Sequence, residues 1–67
     1  MTHRRYVILV DWQYVAHPGS QEIPIELTDD ESRALKYVTS EHALQVARLI
    51  HARATGHVYV TSIKSSV

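Results

Sequence analysis

The stretch that decides the fold runs from Arg4 to Val15 and reads RRYVILVDWQYV. It is the most β-prone segment of the chain, and its pattern predicts one long strand from about Arg5 to Val15. Both faces of this strand carry apolar side chains, so each face needs a cover. The chain has 67 residues, and a domain of this size buries only about 60% of its unfolded surface. The question is therefore which side chains point at the protein's own core.

The composition predicts a single domain, residues 1–67, that folds without covalent staples. There are no cysteines, so disulfides, zinc knuckles and thiol catalysis are excluded. Lysine and arginine together number 7, as do aspartate and glutamate. This balance lowers the expectation of nucleic-acid binding, which a basic surplus favours. Small domains often need stabilisation beyond their core, from disulfides, a metal or oligomerisation. Oligomerisation is the source that this composition leaves most open, so we predict a homodimer.

No part of the sequence predicts a membrane segment or a leader. No apolar run approaches the roughly 20 residues that cross a bilayer. The amino-terminal apolar run breaks at Asp11 and is not followed by a small-residue cleavage site. We therefore expect a cytoplasmic protein that does not act at a membrane.

Two shorter strands are predicted before the helix. The segment EIPIELT (22–28) alternates apolar and polar residues, and Pro24 predicts an edge strand or a bulge there. Residues 28–38 have two interpretations. One is a turn followed by a strand, RALKYV (33–38), which we favour. The other is a helix that begins with a capping box of Thr28 and Glu31.

The helix and the last strand are clearer. SEHALQVARLIHARATG runs from a Ser40 cap to Gly56, with Ala43, Val46, Ala47, Ile50 and Ala54 in one apolar stripe. HVYVTSIKS (57–65) predicts the final strand. The expected fold is therefore α+β, a four-stranded, mainly antiparallel sheet with one helix on one face. Its element order is β-β-β-α-β with strand order 3-2-1-4, or β-β-α-α-β if residues 28–38 are helical.

The polar residues of the first strand predict which face packs against the helix. Asp11 and Gln13 would each need a partner in a dry core, so the alternate residues should face the helix. That set is expected to comprise Tyr6, Ile8, Val10, Trp12, Tyr14, Ile23, Ile25, Leu27, Leu35, Tyr37, Val58 and Val60.

The other face is predicted to be an exposed contact surface. Its apolar members are expected to be Val7, Leu9, Val15, Val38, Tyr59 and Ile63. It is too apolar for a plain solvated sheet, and such surfaces mark interaction sites. We therefore predict a protein-binding surface comprising Val7, Leu9, Asp11, Tyr59, Thr61 and Ile63.

The sequence does not predict catalysis. His42 and His51 lie on opposite flanks of the predicted helix, and no cysteine or nearby carboxylate completes a metal site. No serine occupies a glycine-flanked elbow, and two glycines do not form a phosphate-binding loop. We expect a protein that is not an enzyme and has no cofactor and no metal.

The basic residues support an alternative function. Arg4, Arg5 and Lys64 are expected near adjacent strand ends, where they would form a small basic spot. Tyr59 would lie beside it, as exposed aromatics do on sheets that bind single strands. The alternative prediction is a nucleic-acid-binding regulatory module, although the same arginines also serve to solvate strand ends.

The stretch KYVTSEHALQVARLIHARATGHVYV, from Lys36 to Val60, has the order strand, cap, alanine-rich helix, glycine, strand. This pattern resembles small bacterial and phage proteins built as a sheet with one helix, among them anti-CRISPR-type inhibitors. The resemblance implies an inhibitor that blocks a larger protein sterically, and it carries over no catalytic residue. Such inhibitors are often more acidic than this chain, so nucleic-acid mimicry is not implied.

Overall fold

The computed structural model describes residues 2–20 and 22–66, with side chains for residues 4–20 and 22–64. Four strands form one antiparallel sheet in the order β3-β2-β1-β4. The elements are β1 (Thr2–Val10), β2 (Gln13–His17), β3 (Glu26–Thr28), a 3₁₀ helix (Glu31–Arg33), α1 (Ser40–Arg53) and β4 (Val58–Ser66). The predicted α+β fold, with four antiparallel strands and one helix, is confirmed.

The opening stretch is a hairpin rather than one strand. β1 ends at Val10, Asp11 and Trp12 form the turn, and β2 begins at Gln13. Val10 and Gln13 pair across the turn. The φ angles of Asp11 and Trp12 are 49° and 74°, and tight two-residue hairpin turns use such positive values. The prediction of a single strand was wrong because apolar alternation continues on both sides of the turn and conceals it.

Residues 34–37 link the two strands of this hairpin where they separate. Tyr37 exchanges both backbone hydrogen bonds with Tyr6 of β1, at 2.9 and 2.8 Å, and the Leu35 N–H donates to the Val15 carbonyl of β2 at 3.0 Å. Neither interpretation of residues 28–38 is correct. The structure has a 3₁₀ helix at Glu31–Arg33 and then a single bridge at Tyr37.

The loop around the 3₁₀ helix is held by polar contacts. The Asp30 carboxylate accepts from the Ser32 backbone N–H at 2.9 Å and from its hydroxyl at 2.7 Å. These hydrogen bonds lower the pKa of Asp30 below its ordinary value of 3.8. The Lys36 ammonium donates to the carbonyls of Glu31 and Ala34, at 3.1 and 3.0 Å. Together they fix the loop's backbone where the chain returns to the sheet.

Helix α1 packs on one face of the sheet through small side chains. Its N-cap is Thr39, whose hydroxyl accepts from the His42 N–H at 3.2 Å. Three residues of the predicted stripe, Ala43, Ala47 and Ile50, are buried, and the other two, Val46 and Ala54, are partly buried against the same core. The alanines let the helix backbone approach the sheet closely. The buried residues of this helix-side core are Ile8, Val10, Val15, Tyr37, Ala43, Ala47 and Ile50.

The hairpin changes which residues share a face. Residues paired across an antiparallel ladder lie on the same face, and Tyr14 pairs with Leu9. Tyr14 therefore lies opposite the helix, and Val15 lies in the helix-side core, the reverse of the prediction. Trp12 was also placed in the core but is 82% exposed, because it belongs to the turn.

Two further residues predicted in the core are exposed. Ile23 and Leu35 retain 53% and 39% of their accessible surface. Ile23 precedes β3 and Leu35 lies in the linking segment, so neither occupies a regular strand position. The predicted core residues Ile25 and Leu27 do pack against the helix-side core.

Candidate functional site

The predicted contact surface has a buried part. Val7 and Leu9 are only 0% and 8% exposed. They form a second cluster with Ala34, which the loop after β3 supplies, and tyrosine side chains pack around it. The prediction that Val7 and Leu9 point outward is therefore wrong, because the chain covers this face with its own loop.

The rest of that surface remains accessible. Tyr59, Thr61 and Ile63 alternate along β4 and share the face opposite the helix. Thr61 is exposed, and the other two are half-buried against the second cluster. Asp11 is exposed in the turn. These four residues remain candidates for contact with a partner.

The turn and the start of β4 together form a site that we call the tip patch, comprising Asp11, Trp12, His57 and Tyr59. The Trp12 and Tyr59 rings meet edge to face, with centroids 6.0 Å apart. The His57 ring lies 5.7 Å from the Tyr59 ring at a tilt of 41°. The four side chains line an open hollow of about 500 Å³.

Backbone contacts fix the geometry of the tip patch. The Asp11 N–H donates to the His57 carbonyl at 3.0 Å, and the His57 N–H donates to the Asp11 carboxylate at 2.9 Å. A side chain at Gly56 would collide with the Asp11 carboxylate. Gly56 was predicted as a helix terminator, and its position also gives Asp11 the room to reach His57.

Trp12 occupies a position that disfavours its residue type. Its φ of 74° is left-handed, which costs a non-glycine residue roughly 1–2 kcal/mol. Glycine is the usual second residue of a two-residue turn. A strained backbone held by its surroundings is typical of functional sites. The exposed indole is therefore the leading candidate for a binding residue.

Sequence reasoning missed Trp12 and His57 as site residues. A signal existed, since aspartate between two apolar runs is compatible with a two-residue turn. Tryptophan in place of the expected glycine concealed it. His57 was assigned to the start of the last strand, and only the fold brings it beside Asp11.

The structure divides the predicted basic spot between two faces. Arg4 and Lys64 pair across β1 and β4, so they lie on one face. Arg5 pairs with Ile63 and shares the opposite face with Tyr59. Tyr59 is five residues from Lys64 along β4, a distance of about 17 Å in a strand. The four residues thus do not form one continuous surface.

The remaining histidines have separate environments. His42 stacks edge to face on Tyr37 with ring centroids 5.0 Å apart. His17 accepts a hydrogen bond from the Gly19 N–H at 2.9 Å. The side chain of His3 lies outside those described. Among the described side chains, no three potential ligands are grouped to hold a metal ion.

In the part of the chain that the structure describes, no helix has the length and apolar character needed to cross a bilayer. Comparison with known proteins finds no matching family model, no matching curated protein and no matching solved structure.

Proposed function

We propose that this protein is a small non-catalytic binding protein of the cytoplasm that blocks or regulates a larger protein partner. The observation that carries the proposal is Trp12, which is 82% exposed on a left-handed backbone. Tryptophan is enriched among the residues that dominate binding energy at protein interfaces. A large apolar ring held in solvent at a conformational cost is best explained by a partner that covers it.

The binding surface extends from the tip patch along β4. Thr61 and Ile63 continue the line of Tyr59 on the same face. Together with Asp11 and Trp12 they provide an aromatic centre with a polar edge, which is the usual anatomy of an interface. Val7 and Leu9 support this surface from beneath rather than contacting the partner.

Steric blocking of the partner follows from the resemblance to anti-CRISPR-type inhibitors of phage and bacteria, which stays a prediction. An inhibitor of this size acts by covering a surface of its partner. The edge strand β4 and the turn between β1 and β2 provide the contact surface for this. The homodimer also stays a prediction. The apolar face that suggested it is smaller than expected, because Val7 and Leu9 are already buried within the monomer. Sedimentation equilibrium of the wild type measures it directly.

Affinity capture from an extract of the native host tests the proposal. Wild-type protein is immobilised beside two variants, Trp12→Gly and Leu49→Ala. Glycine suits the left-handed backbone at position 12, so the first variant keeps the turn. Leu49 is also strongly exposed, at 68%, but lies on α1 and serves as the matched control. We expect a partner retained by wild type and Leu49→Ala and lost with Trp12→Gly.

Two results would contradict the proposal. Capture of the same proteins by all three baits shows that Trp12 does not contact a partner. Loss with Leu49→Ala alone places the interface on the helix instead.

A second candidate function is favoured by the pairing of Arg4 with Lys64 across β1 and β4. Two cationic side chains on one face provide a minimal contact for phosphates. Titration with short single-stranded DNA and RNA at low salt tests this nucleic-acid module. Binding that weakens steeply with salt and is lost in Lys64→Ser supports it, whereas no binding at low salt excludes it.

A further inference from the structure

The lining of the tip patch combines one carboxylate with aromatic rings. Asp11 supplies the charge, and Trp12, Tyr59 and His57 supply the rings. Among the described side chains, no lysine or arginine lines this hollow. Such a lining disfavours an anion and favours a cation, because ring faces are the negative ends of aromatic quadrupoles.

The Asp11 carboxylate retains capacity for a ligand. One of its oxygens accepts from the His57 backbone N–H at 2.9 Å, and the residue is exposed. Among the described side chains the one ion pair is that of Arg33 with Glu26. The charge of Asp11 is therefore not neutralised by a described cationic side chain.

We infer that the tip patch receives an arginine side chain of the protein partner. This inference rests on the proposed function and names the chemistry of the contact. A guanidinium group is planar, stacks on aromatic rings and donates hydrogen bonds to a carboxylate at the same time. Trp12 and Tyr59 supply the rings, and Asp11 supplies the carboxylate beside them.

A nucleic acid fits this site less well. Bases stack on exposed aromatics, but the phosphates beside them would meet the negative charge of Asp11. The paired cations Arg4 and Lys64 lie toward the other end of the β1–β4 ladder. They are too far away to offset that repulsion at the tip patch.

The test uses two small probes, Nα-acetyl-arginine methylamide and its citrulline counterpart. Citrulline has nearly the same shape as arginine but no charge. The chain has one tryptophan, so the fluorescence of Trp12 reports directly on the tip patch. We expect the arginine probe to bind about tenfold more tightly than the citrulline probe, since stacking and charge pairing act together.

Equal affinities for the two probes, or no detectable binding of either, overturn the inference. A lysine probe that binds as tightly as the arginine probe overturns the assignment to arginine.

The matched variants are Asp11→Asn and Leu49→Ala. Asparagine tolerates a left-handed backbone and keeps a side-chain oxygen for the His57 N–H, but it removes the charge. We expect the preference for the arginine probe to fall several-fold in Asp11→Asn, because the rings remain but the charge is removed, and Leu49→Ala to keep the wild-type preference. Circular dichroism and thermal unfolding confirm that both variants are folded. A preference for arginine that is undiminished in Asp11→Asn contradicts the role of the carboxylate.

The two proposals fail in distinguishable ways. If Trp12→Gly no longer captures the partner but the wild type shows no preference for the arginine probe, the interface is supported and the arginine contact is rejected. Preference for arginine without a Trp12-dependent partner shows a cation site that does not serve protein binding.

Discussion

The two faces of the sheet are buried by different means. On one face, α1 contributes Ala43, Ala47 and Ile50 to a core of seven buried residues. On the other, a short loop contributes Ala34 over Val7 and Leu9. A helix brings its own hydrogen bonds, whereas the loop depends on the side chains of Asp30 and Lys36 for its polar anchors.

This difference shows how a very small chain can close both sides of a sheet. The helix covers the larger area, and three apolar residues suffice on the other face because the tyrosines at its margin extend the cover. The strongly exposed apolar side chains then lie away from the centre of the sheet, as Trp12 and Leu49 do. The exposed apolar surface therefore lies at the turn and on the outside of the helix.

Leu9→Glu is expected to produce the largest effect, because it puts a charge beneath the loop. Leu9 is 8% exposed, and an unpaired buried charge typically costs more than about 4 kcal/mol. The variant should be unfolded at 25 °C by circular dichroism. Leu49→Glu is the control, since Leu49 lies at the surface of α1, and its free energy of unfolding should change by less than about 1 kcal/mol. A folded Leu9→Glu protein would show that the loop does not seal this face.

Cavity-forming substitutions compare the rigidity of the two faces. Ile50→Ala on the helix side should cost about 3 kcal/mol and Val7→Ala on the loop side about 2 kcal/mol, roughly 1 kcal/mol for each carbon removed. Both residues are essentially fully buried. Urea denaturation measures each free energy of unfolding. A cost below about 1 kcal/mol for Val7→Ala would mean that the loop collapses into the space more readily than the helix.

Much of the fold could be predicted from local patterns. Capping residues, alanine spacing and alternation are local signals, and they gave the helix and the α+β class. The split of the first strand was missed, because Tyr14 and Val15 continue the apolar run past the turn and Trp12 stands where a glycine is usual. A one-residue change in register exchanges the faces, so this one error misplaced both residues.

The candidate site could be predicted only in part. Asp11 and Tyr59 were identified because they lie on the expected exposed face. The burial of Val7 and Leu9 was missed because the loop that covers them has no secondary-structure pattern of its own. His57 was missed because its contact with Asp11 joins residues 46 positions apart.

Lys36→Met should weaken the loop side selectively. The Lys36 ammonium donates to the carbonyls of Glu31, Ser32 and Ala34, and its loss leaves them to water. We expect a cost of about 1–2 kcal/mol, with hydrogen exchange increased in the loop but not in α1. Lys64→Met, at an exposed site on β4, is the control and should be nearly neutral. Equal destabilisation by both variants would assign the effect to overall charge.

Tyr37→Phe is expected to have the smallest effect, and its sign is stabilising. Tyr37 lies in the helix-side core, and its hydroxyl is buried without a hydrogen-bond partner among the described residues. Removing that hydroxyl should raise the free energy of unfolding by up to about 1 kcal/mol at neutral pH. Tyr59→Phe is the control at the surface of the second face and should leave this free energy unchanged.

The same substitution should change the response to alkaline pH. Burial raises the pKa of Tyr37 above its ordinary value of 10.0, because the folded protein disfavours the phenolate. The folded state therefore holds the Tyr37 proton more tightly than the unfolded state does. The stability that depends on this proton is fully present below pH 10.0 and is lost as the pH rises through the raised pKa of the folded state. Wild-type protein should lose stability above about pH 10, and Tyr37→Phe should lose less. An equal loss of stability in the two proteins would show that the Tyr37 hydroxyl reaches solvent. In that case the segment 34–37 opens more easily than the helix-side core around it.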